Sequence, residues 1–249
     1  MNSTIENIVN SYQGIDLKEL SKVDFDARVD TKFMFSVDKL PLFLEALKGQ
    51  VCVLELGKKR QFHYKNLYFD YSNFEFFRKH HAGYLNRIKV RSRQYSENGP
   101  FVFEIKKKNN KSKTEKKRIS LPSFADSKSD LTEKYLNEQL GIGFNDLVET
   151  IGINYSRITI SDVQMTEKFT MDIDLEATYN GKSHAFKNIA IAEIKQKRFS
   201  NKSMFVSALR GINAYPSSFS KYCAAVLVHR PDIKHNNFKP FLKNIHSFS

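Results

Sequence analysis

The stretch RIKVRSRQY, residues 87–95, places a cation at every second position. Successive side chains of a β-strand point to opposite sides of the sheet, so this spacing predicts a strand with one strongly basic side. Like charges on neighbouring strands repel, and an ordinary solvent-facing side usually mixes neutral polar residues with both signs of charge. The basic side of the predicted strand consists of Arg87, Lys89, Arg91 and Arg93.

The same two-residue period recurs along the chain. Lys168–Glu176 is the clearest case, because its odd positions are apolar and its even positions are polar, with Asp172, Asp174 and Glu176 on one side. The other stretches predicted as strands are Arg28–Phe35, Tyr64–Tyr71, Phe101–Lys106, Tyr155–Ser161 and Ile191–Lys197.

Helical patterns are fewer, and they predict helices over Asp38–Leu47, Asp130–Leu140 and Lys202–Gly211. The basic stretch Lys106–Arg118 reads as a solvated hairpin tip and forces no domain boundary. We therefore expect residues 1–249 to form a single domain, with an N-terminal helical extension over residues 1–20 and a C-terminal tail over residues 230–249.

The repetition of charged strand faces predicts an α+β fold, a closed antiparallel β-barrel with peripheral helices. In such a barrel the apolar sides would pack outward against the helices, and the charged sides would line a tunnel. A tunnel rich in arginine and lysine suits a polyanion, because guanidinium groups chelate phosphate oxygens. A few carboxylates among the cations would hold a divalent metal that bridges phosphates.

The composition agrees with an anionic ligand. The 249 residues contain 40 Lys+Arg against 27 Asp+Glu, a net charge of +13, which favours nucleic acid, an anionic membrane surface or a phosphorylated ligand. Cys52 and Cys223 lie in apolar surroundings without metal-ligand spacing, as is typical of a reducing compartment. We see no signal peptide and no membrane-spanning stretch, so we expect a cytoplasmic protein.

A series of segments, in the order in which they follow one another along the chain, resembles the VTC domain. This is the polyphosphate polymerase domain of vacuolar transporter chaperone complexes, within the CYTH-like or triphosphate tunnel metalloenzyme superfamily. The resemblance runs from about Phe25 to Val228. The matching segments are RVDTKFMF, LYFDY, GYLNRIKVRSRQY, FVFEIKKK, NYSRITI, KFTMDIDLEATY, AIAEIKQKR and SFSKYCAAV. It implies the tunnel fold and ATP:polyphosphate phosphotransferase activity, with ATP and polyphosphate or triphosphate as ligands.

The resemblance also implies site residues, position by position. Arg91 and Arg93 correspond to the paired arginines of the family's R-x-R strand. Lys168 stands where the family usually has an arginine, and a lysine cannot chelate phosphate bidentately. The residues expected to act on the substrate are Lys32, Arg91, Arg93, Lys106, Arg157, Lys195 and Lys221. Further substrate-binding charge is expected from Lys89, Lys117, Arg118 and Lys168.

The implied metal ion is Mn²⁺ or Mg²⁺, with Glu193 as its ligand. Many tunnel enzymes carry Glu-x-Glu-x-Lys on their first strand, whereas this chain has Arg28-x-Asp30-x-Lys32, which is nearer the VTC pattern. The ion would bridge phosphate oxygens during phosphoryl transfer, a reaction that asks mainly for positioning and charge stabilisation.

Alternatives from other classes stay open. The same residues would serve an inorganic or nucleoside triphosphatase, or a non-catalytic polyphosphate or nucleotide sensor. The net charge also suits a nucleic-acid-binding protein, but no RRM, KH or helix-turn-helix pattern supports one, so we expect no nucleic acid partner. A membrane role would need a separate membrane partner.

Overall fold

The computed structural model describes residues 3–22, 29–111 and 114–246. Its strands are β1 (Gln13–Ile15), β2 (Val29–Ser36), β3 (Val51–Leu54), β4 (Gln61–Tyr71), β5 (Arg87–Tyr95), β6 (Phe101–Lys108), β7 (Thr114–Leu121), β8 (Leu147–Asp162), β9 (Glu167–Tyr179), β10 (Lys182–Ala185) and β11 (Ile189–Gln196). Its helices are α1 (Ser3–Asn10), α2 (Leu17–Ser21), α3 (Leu40–Glu45), α4 (Glu75–His81), α5 (Asp130–Leu140), α6 (Met204–Gly211), α7 (Lys221–His229) and α8 (Lys239–His246).

The strands form one sheet whose main path runs β2-β11-β9-β8-β4-β5-β6-β7, and every neighbouring pair on this path is antiparallel. Three short strands extend it: β10 pairs with β9, β3 pairs with β8, and β1 runs parallel to β3. The predicted antiparallel sheet is therefore confirmed.

The closed barrel is not confirmed. Within the part of the chain that the structure describes, β2 and β7 are the two ends of the path, and no hydrogen-bonded pairing joins them. The sequence could not distinguish an open sheet from a closed one. A two-residue period only separates the two faces of each strand, and an open curved sheet keeps those faces apart as well as a closed barrel does. Arg28, which begins the predicted first strand, lies outside the described residues.

One side of the sheet, which we call the outer side, packs against helices as predicted. Phe33, Phe35 and Phe169 are buried there together with Phe43 of α3 and Phe205 of α6. Full burial of each such side chain contributes roughly 1.5–3 kcal/mol. Phe69, Phe103, Ile105 and Leu136 form a second outer cluster, which lies beneath α4 and α5.

The opposite side, which we call the concave face, is covered by helices at two ends and is not charged throughout. At one end Met34 and Ile191 pack beneath Tyr222 and Val226 of α7. At the other end Leu20 of α2 is buried in a cluster with Cys52, Leu54 and Phe62. Helices therefore lie on both sides of the sheet, because these ends of the concave face are apolar and need covering.

The predicted elements are found with shifted ends. The helix over Asp130–Leu140 has the predicted bounds, since Ser129 caps its start and Gly141, with φ 67°, follows its end. The helix predicted over Asp38–Leu47 is α3, preceded by a 3₁₀ turn at Val37–Lys39. The helix predicted over Lys202–Gly211 is α6, capped by Ser203.

The terminal segments contain more structure than expected. The N-terminal extension comprises α1, β1 and α2, and the C-terminal tail contains α8. In the middle of the chain, the basic stretch predicted as a hairpin tip is largely strand, because β6 continues to Lys108 and β7 begins at Thr114. Among the described residues, no helix combines the length and the apolar character that crossing a membrane requires.

Candidate functional site

Charged side chains from distant strands meet on the concave face. Residues that pair directly across antiparallel strands point to the same side, so the register assigns each one. Lys32 on β2 lies close enough to Lys89 on β5 and Lys106 on β6 to lower the pKa of both ammonium groups, although burial is the larger cause. Ser220 accepts a hydrogen bond from Lys89 of β5, and the adjacent Lys221 donates to Asp172 of β9, so the sheet curves until these two strands face each other across the start of α7.

The side of the concave face formed by β2, β11, β9 and β8 pairs its cations with carboxylates. Arg157 Nε and Nη2 donate to the two oxygens of Asp172 over 2.6 and 2.8 Å, a bidentate pair across β8 and β9. Lys221, the first residue of α7, donates to the same carboxylate over 2.5 Å. Burial alone would raise the pKa of Asp172, but Arg157 and Lys221 hold it well below its usual value.

A second group of charges on this side involves Lys195. Its ammonium group donates to Glu193 and lies 3.4 Å from Asp30, while Lys32 lies 3.1 Å from the other oxygen of Glu193. We call Asp30, Lys32, Arg157, Asp172, Glu193 and Lys195 the acid-paired half.

Asp30 and Glu193 are the residues that could hold a divalent metal. The shared ammonium group of Lys195 shows that the two carboxylates lie close together. No group of three or more histidine, cysteine, aspartate or glutamate side chains suited to a metal occurs within residues 3–22, 29–111 and 114–246. This donor set fits Mg²⁺ or Mn²⁺, since Mg²⁺ is usually bound by one or two carboxylates together with substrate phosphates.

Arg93 lies at the centre of the face with neutral partners. Its side chain is buried, and it donates to Asn66 Oδ1 over 2.7 Å and to the hydroxyl of Tyr155 over 3.0 Å. The rings of Tyr64 and Tyr95 each lie 5.5 Å from its guanidinium carbon, within cation–π range. This surrounding polar and aromatic cage holds Arg93 in one orientation without a carboxylate among the described residues.

Arg91 is anchored by a buried carboxylate. It donates to Glu104 over 2.7 Å and to the hydroxyl of Tyr68 over 3.0 Å. Tyr95 donates to the other oxygen of Glu104, and Lys116 lies 3.5 Å from it. Burial would raise the pKa of Glu104, but Arg91 and the neighbouring cations hold it well below its usual value.

The side formed by β5, β6 and β7 is poor in carboxylates. Among its described residues Glu104 is the one carboxylate that the register places on the concave face. Lys106 is accessible to solvent, but the surrounding protein, together with Lys89, Lys32 and Arg91, lowers its pKa to about 8. We call Lys89, Arg91, Arg93, Lys106, Lys116 and Arg118 the cation-rich half.

The structure brings most of the predicted residues together. Those that it places on the concave face are Lys32, Lys89, Arg91, Arg93, Lys106, Arg118, Arg157, Lys168, Glu193, Lys195 and Lys221. Lys117 lies on the opposite side, because it pairs with the buried outer residue Ile105, and its ammonium group is 3.5 Å from Glu115.

Two features of the site escaped the sequence reasoning. Lys116 faces the site, and its position two residues before Arg118 was the available signal. Asp172, Asp174 and Glu176 do not share a side. Asp174 has φ 54° at a bulge opposite β8, so the alternation breaks there and Glu176 contacts Ser183 instead.

Comparison with known proteins identifies a family and a fold. The sequence model of the VTC domain matches residues 27–229. Two solved structures are similar at low identity. One is an adenylate cyclase candidate from Bacillus halodurans, with 16% identity, a TM-score of 0.51, and coverage of 78% of this chain and 94% of that chain. No curated protein matches the chain significantly.

The second similar structure is an adenylyl cyclase candidate from Hippeastrum, described as having a dominant triphosphatase activity. It shares 14% identity with a TM-score of 0.55, and the match covers 84% of this chain and 98% of that chain. At these identities both structures establish a shared fold.

Proposed function

The chain belongs to the VTC domain family, and we propose on this premise that it transfers the γ-phosphate of ATP to the end of a growing polyphosphate chain. The observation that carries the proposal is the charge arrangement of the concave face. Cations from strands along the whole path converge there, and the buried carboxylates Glu104 and Asp172 serve as their ion-pair partners.

These side chains first bind and orient the triphosphate of ATP and the end of the acceptor polyphosphate chain. Arg91, Arg93 and Arg157 present guanidinium groups, which match phosphate oxygens bidentately, and Lys32 and Lys106 add ammonium groups. Their hydrogen bonds and ring contacts fix the arginines before substrate enters, so little ordering remains to be done when it binds.

The transfer itself needs no protein nucleophile. A terminal oxygen of the acceptor chain forms a bond to the γ-phosphorus, and the bond from that phosphorus to the bridging oxygen of the β-phosphate breaks, leaving ADP. The attacking oxygen is already anionic, so no proton has to be removed. Glu104 and Asp172, whose pKa values are held low by arginines, are weak bases, and this also suits transfer better than activation of water.

Glu193, with Asp30 beside it, would hold the Mn²⁺ or Mg²⁺ ion. When bound, such an ion neutralises charge on the phosphate oxygens. Lys195 and Lys32 meanwhile keep both carboxylates turned toward the concave face.

A triphosphatase is the second candidate function. Two observations support it. The Hippeastrum protein is described as having triphosphatase activity. Lys106 is accessible to solvent, and water that reaches the site could replace the acceptor chain. Both reactions would use nearly the same residues. A sensor would bind the same ligands without turnover.

The test is an assay of the purified protein with ATP and Mn²⁺ or Mg²⁺ that follows ADP, free phosphate and chain length together. We expect ADP and long chains with little free phosphate. Free phosphate without chains would support the triphosphatase, and absence of turnover with either metal would support the sensor.

The double variant Arg91→Ala, Arg93→Ala is expected to abolish chain synthesis. Its matched control is Lys117→Ala on the opposite side of β7, which should keep full activity. Full activity in the double variant would exclude the concave face as the site.

A further inference from the structure

Asp70, near the end of β4, is a buried carboxylate that the proposed reaction does not use. Among the described residues, its hydrogen-bond donors are neutral. The backbone N–H groups of Tyr71, Phe76 and Phe77 donate to it over 2.8, 2.8 and 3.1 Å, and the hydroxyl of Tyr222 donates over 2.6 Å. Burial raises the pKa of Asp70, and these hydrogen bonds limit the rise. Burying a carboxylate without a cation is costly, so this residue needs an explanation.

Asp70 joins the start of α4 to the start of α7. Phe74, which precedes α4, has φ 60°, and its side chain does not cap the helix. Asp70 supplies the cap from β4 instead, since Phe76 and Phe77 are the second and third residues of α4. Tyr222 is the second residue of α7. One carboxylate therefore fixes the starts of two helices relative to β4, and we call its hydrogen bond with Tyr222 the anchor of α7.

The start of α7 contacts both halves of the concave face. Ser220, which caps α7, accepts a hydrogen bond from Lys89 of the cation-rich half over 3.0 Å. Lys221 donates to Asp172 of the acid-paired half over 2.5 Å. Tyr222 follows these two residues directly, so the anchor of α7 restrains both contacts.

The ring of Tyr222 extends this restraint to Arg91. It stacks on the ring of Tyr68, with the ring centres 5.0 Å apart and the ring planes at 24°. The hydroxyl of Tyr68 in turn accepts a hydrogen bond from Arg91 over 3.0 Å. Both rings are buried, so a displacement of Tyr222 would move Tyr68 and the guanidinium group that it holds.

We propose that Asp70 is a positioning residue for the phosphoryl transfer and that it acts through Tyr222. The anchor of α7 holds the ammonium group of Lys221, and the stacked pair of rings holds the guanidinium group of Arg91. The proposal rests on the proposed function, since both cations belong to that site. A misplacement of such groups by about 1 Å can lower a rate about 100-fold. The charge of the site stays the same without the anchor, so kcat should fall more than KM rises.

The test removes one hydroxyl group. Tyr222→Phe deletes the hydrogen bond to Asp70 and keeps the stacked ring. The matched control is Tyr12→Phe, which deletes a similarly buried hydroxyl that donates to the backbone oxygen of Leu44 over 2.7 Å. Tyr12 packs in the outer cluster beneath α3, away from the concave face. Both variants lose one buried hydrogen bond, so both should melt at a lower temperature than the unmodified protein.

The first measurement is the rate of ADP formation from ATP with Mn²⁺ or Mg²⁺. We expect Tyr222→Phe to lower kcat about tenfold with KM for ATP unchanged within about twofold, and Tyr12→Phe to keep both constants. Asp70→Asn should show the same loss of kcat, because asparagine offers one acceptor oxygen where Asp70 uses two. Combining Tyr222→Phe with Asp70→Asn should not multiply the losses, since both changes remove the same contact.

The second measurement does not depend on turnover. Cys223 is the third residue of α7 and is buried, and Cys52 is buried in the cluster with α2. Alkylation by iodoacetamide is followed at each cysteine by peptide mass spectrometry. We expect it to be about tenfold faster at Cys223 in Tyr222→Phe and unchanged at Cys52, because α7 opens more often without its anchor. In Tyr12→Phe the rate at Cys223 should be unchanged.

An unchanged kcat in Tyr222→Phe, or an equal loss of kcat in Tyr12→Phe, would overturn the positioning role. An unchanged rate of alkylation at Cys223 would also overturn it, because α7 would then not depend on the anchor. Absence of turnover in the unmodified protein would overturn the proposed function and with it the role in transfer. The rate of alkylation would still decide in that case whether Asp70 anchors α7.

Discussion

The two halves of the concave face differ in the sign of the charges that lie opposite each other on neighbouring strands. In the acid-paired half the register sets unlike charges opposite each other, Lys32 against Glu193 and Arg157 against Asp172. In the cation-rich half it sets Lys89 against Lys106 and Lys106 against Lys116. Cross-strand pairs of unlike charge stabilise a sheet and pairs of like charge destabilise it. The cation-rich half therefore carries repulsion that is offset only in part, by Glu104, which lies opposite both Arg91 and Arg118.

This difference assigns two requirements, a stable metal-binding site and a strong affinity for phosphate, to different parts of the concave face. The carboxylates of the acid-paired half have cation partners without a ligand, and two of them, Asp30 and Glu193, lie close enough together to hold a metal. In the cation-rich half Glu104 is the counter-charge of Arg91 and Lys116, and the remaining cations gain further counter-charge when a polyanion binds. We infer that stability and metal binding depend on the first half, whereas affinity for phosphate depends mainly on the second.

The largest expected effect is on stability, in the acid-paired half. Asp172→Ala leaves Arg157 and Lys221 without their buried carboxylate, so the free energy of unfolding should fall by about 3–5 kcal/mol. Denaturant unfolding measures this change. The control is Asp174→Asn, an exposed change at a left-handed position that asparagine tolerates, which should cost less than about 0.5 kcal/mol. A loss below about 1 kcal/mol in Asp172→Ala would remove the distinction between the halves.

A smaller effect is expected at Glu193, where the chemistry is proposed to depend on a metal. Glu193→Gln should lower the transfer rate about 100-fold or more, since metal assistance contributes several kcal/mol. Tripolyphosphate affinity should be kept, because Lys32 and Lys195 lose a competing carboxylate. Rate and affinity are measured separately, with Glu176→Gln near β10 as control. Loss of affinity with an unchanged rate would contradict the assignment.

The smallest expected effect is a pH dependence in the cation-rich half. The surrounding protein and the neighbouring cations lower the pKa of Lys106 to about 8 in the free protein, and a bound phosphate chain would raise it again. Tripolyphosphate affinity should therefore be full below about pH 8 and fall as the pH rises through that value, by up to about tenfold per unit.

Lys106→Arg separates this effect from the ionisation of the ligand itself. Arginine keeps its charge throughout this range, so the variant should lose the fall in affinity near pH 8. Calorimetric titrations between about pH 7 and pH 9 on both proteins test the prediction. An identical fall in Lys106→Arg would show that Lys106 is not the titrating group.

The positions of individual side chains were largely predictable wherever the two-residue period held. Arg91, Arg93 and Lys106 lie on the predicted side because the period of a strand is set by its local backbone geometry. The prediction failed at Asp174, where a bulge adds a residue and reverses the alternation. It also assigned both Lys117 and Arg118 of β7 to substrate binding, whereas the register shows that Arg118 faces the site and Lys117 does not.

The sequence by itself determined the antiparallel sheet, its basic face and the family, since these depend on local period and on the order of motifs. Only the tertiary structure decided which carboxylate meets which cation. Lys221 reaches Asp172 from 49 residues away in the chain because α7 packs over one end of the concave face. Register and helix packing are set by burial across the whole molecule, and no local pattern of residues contains that information.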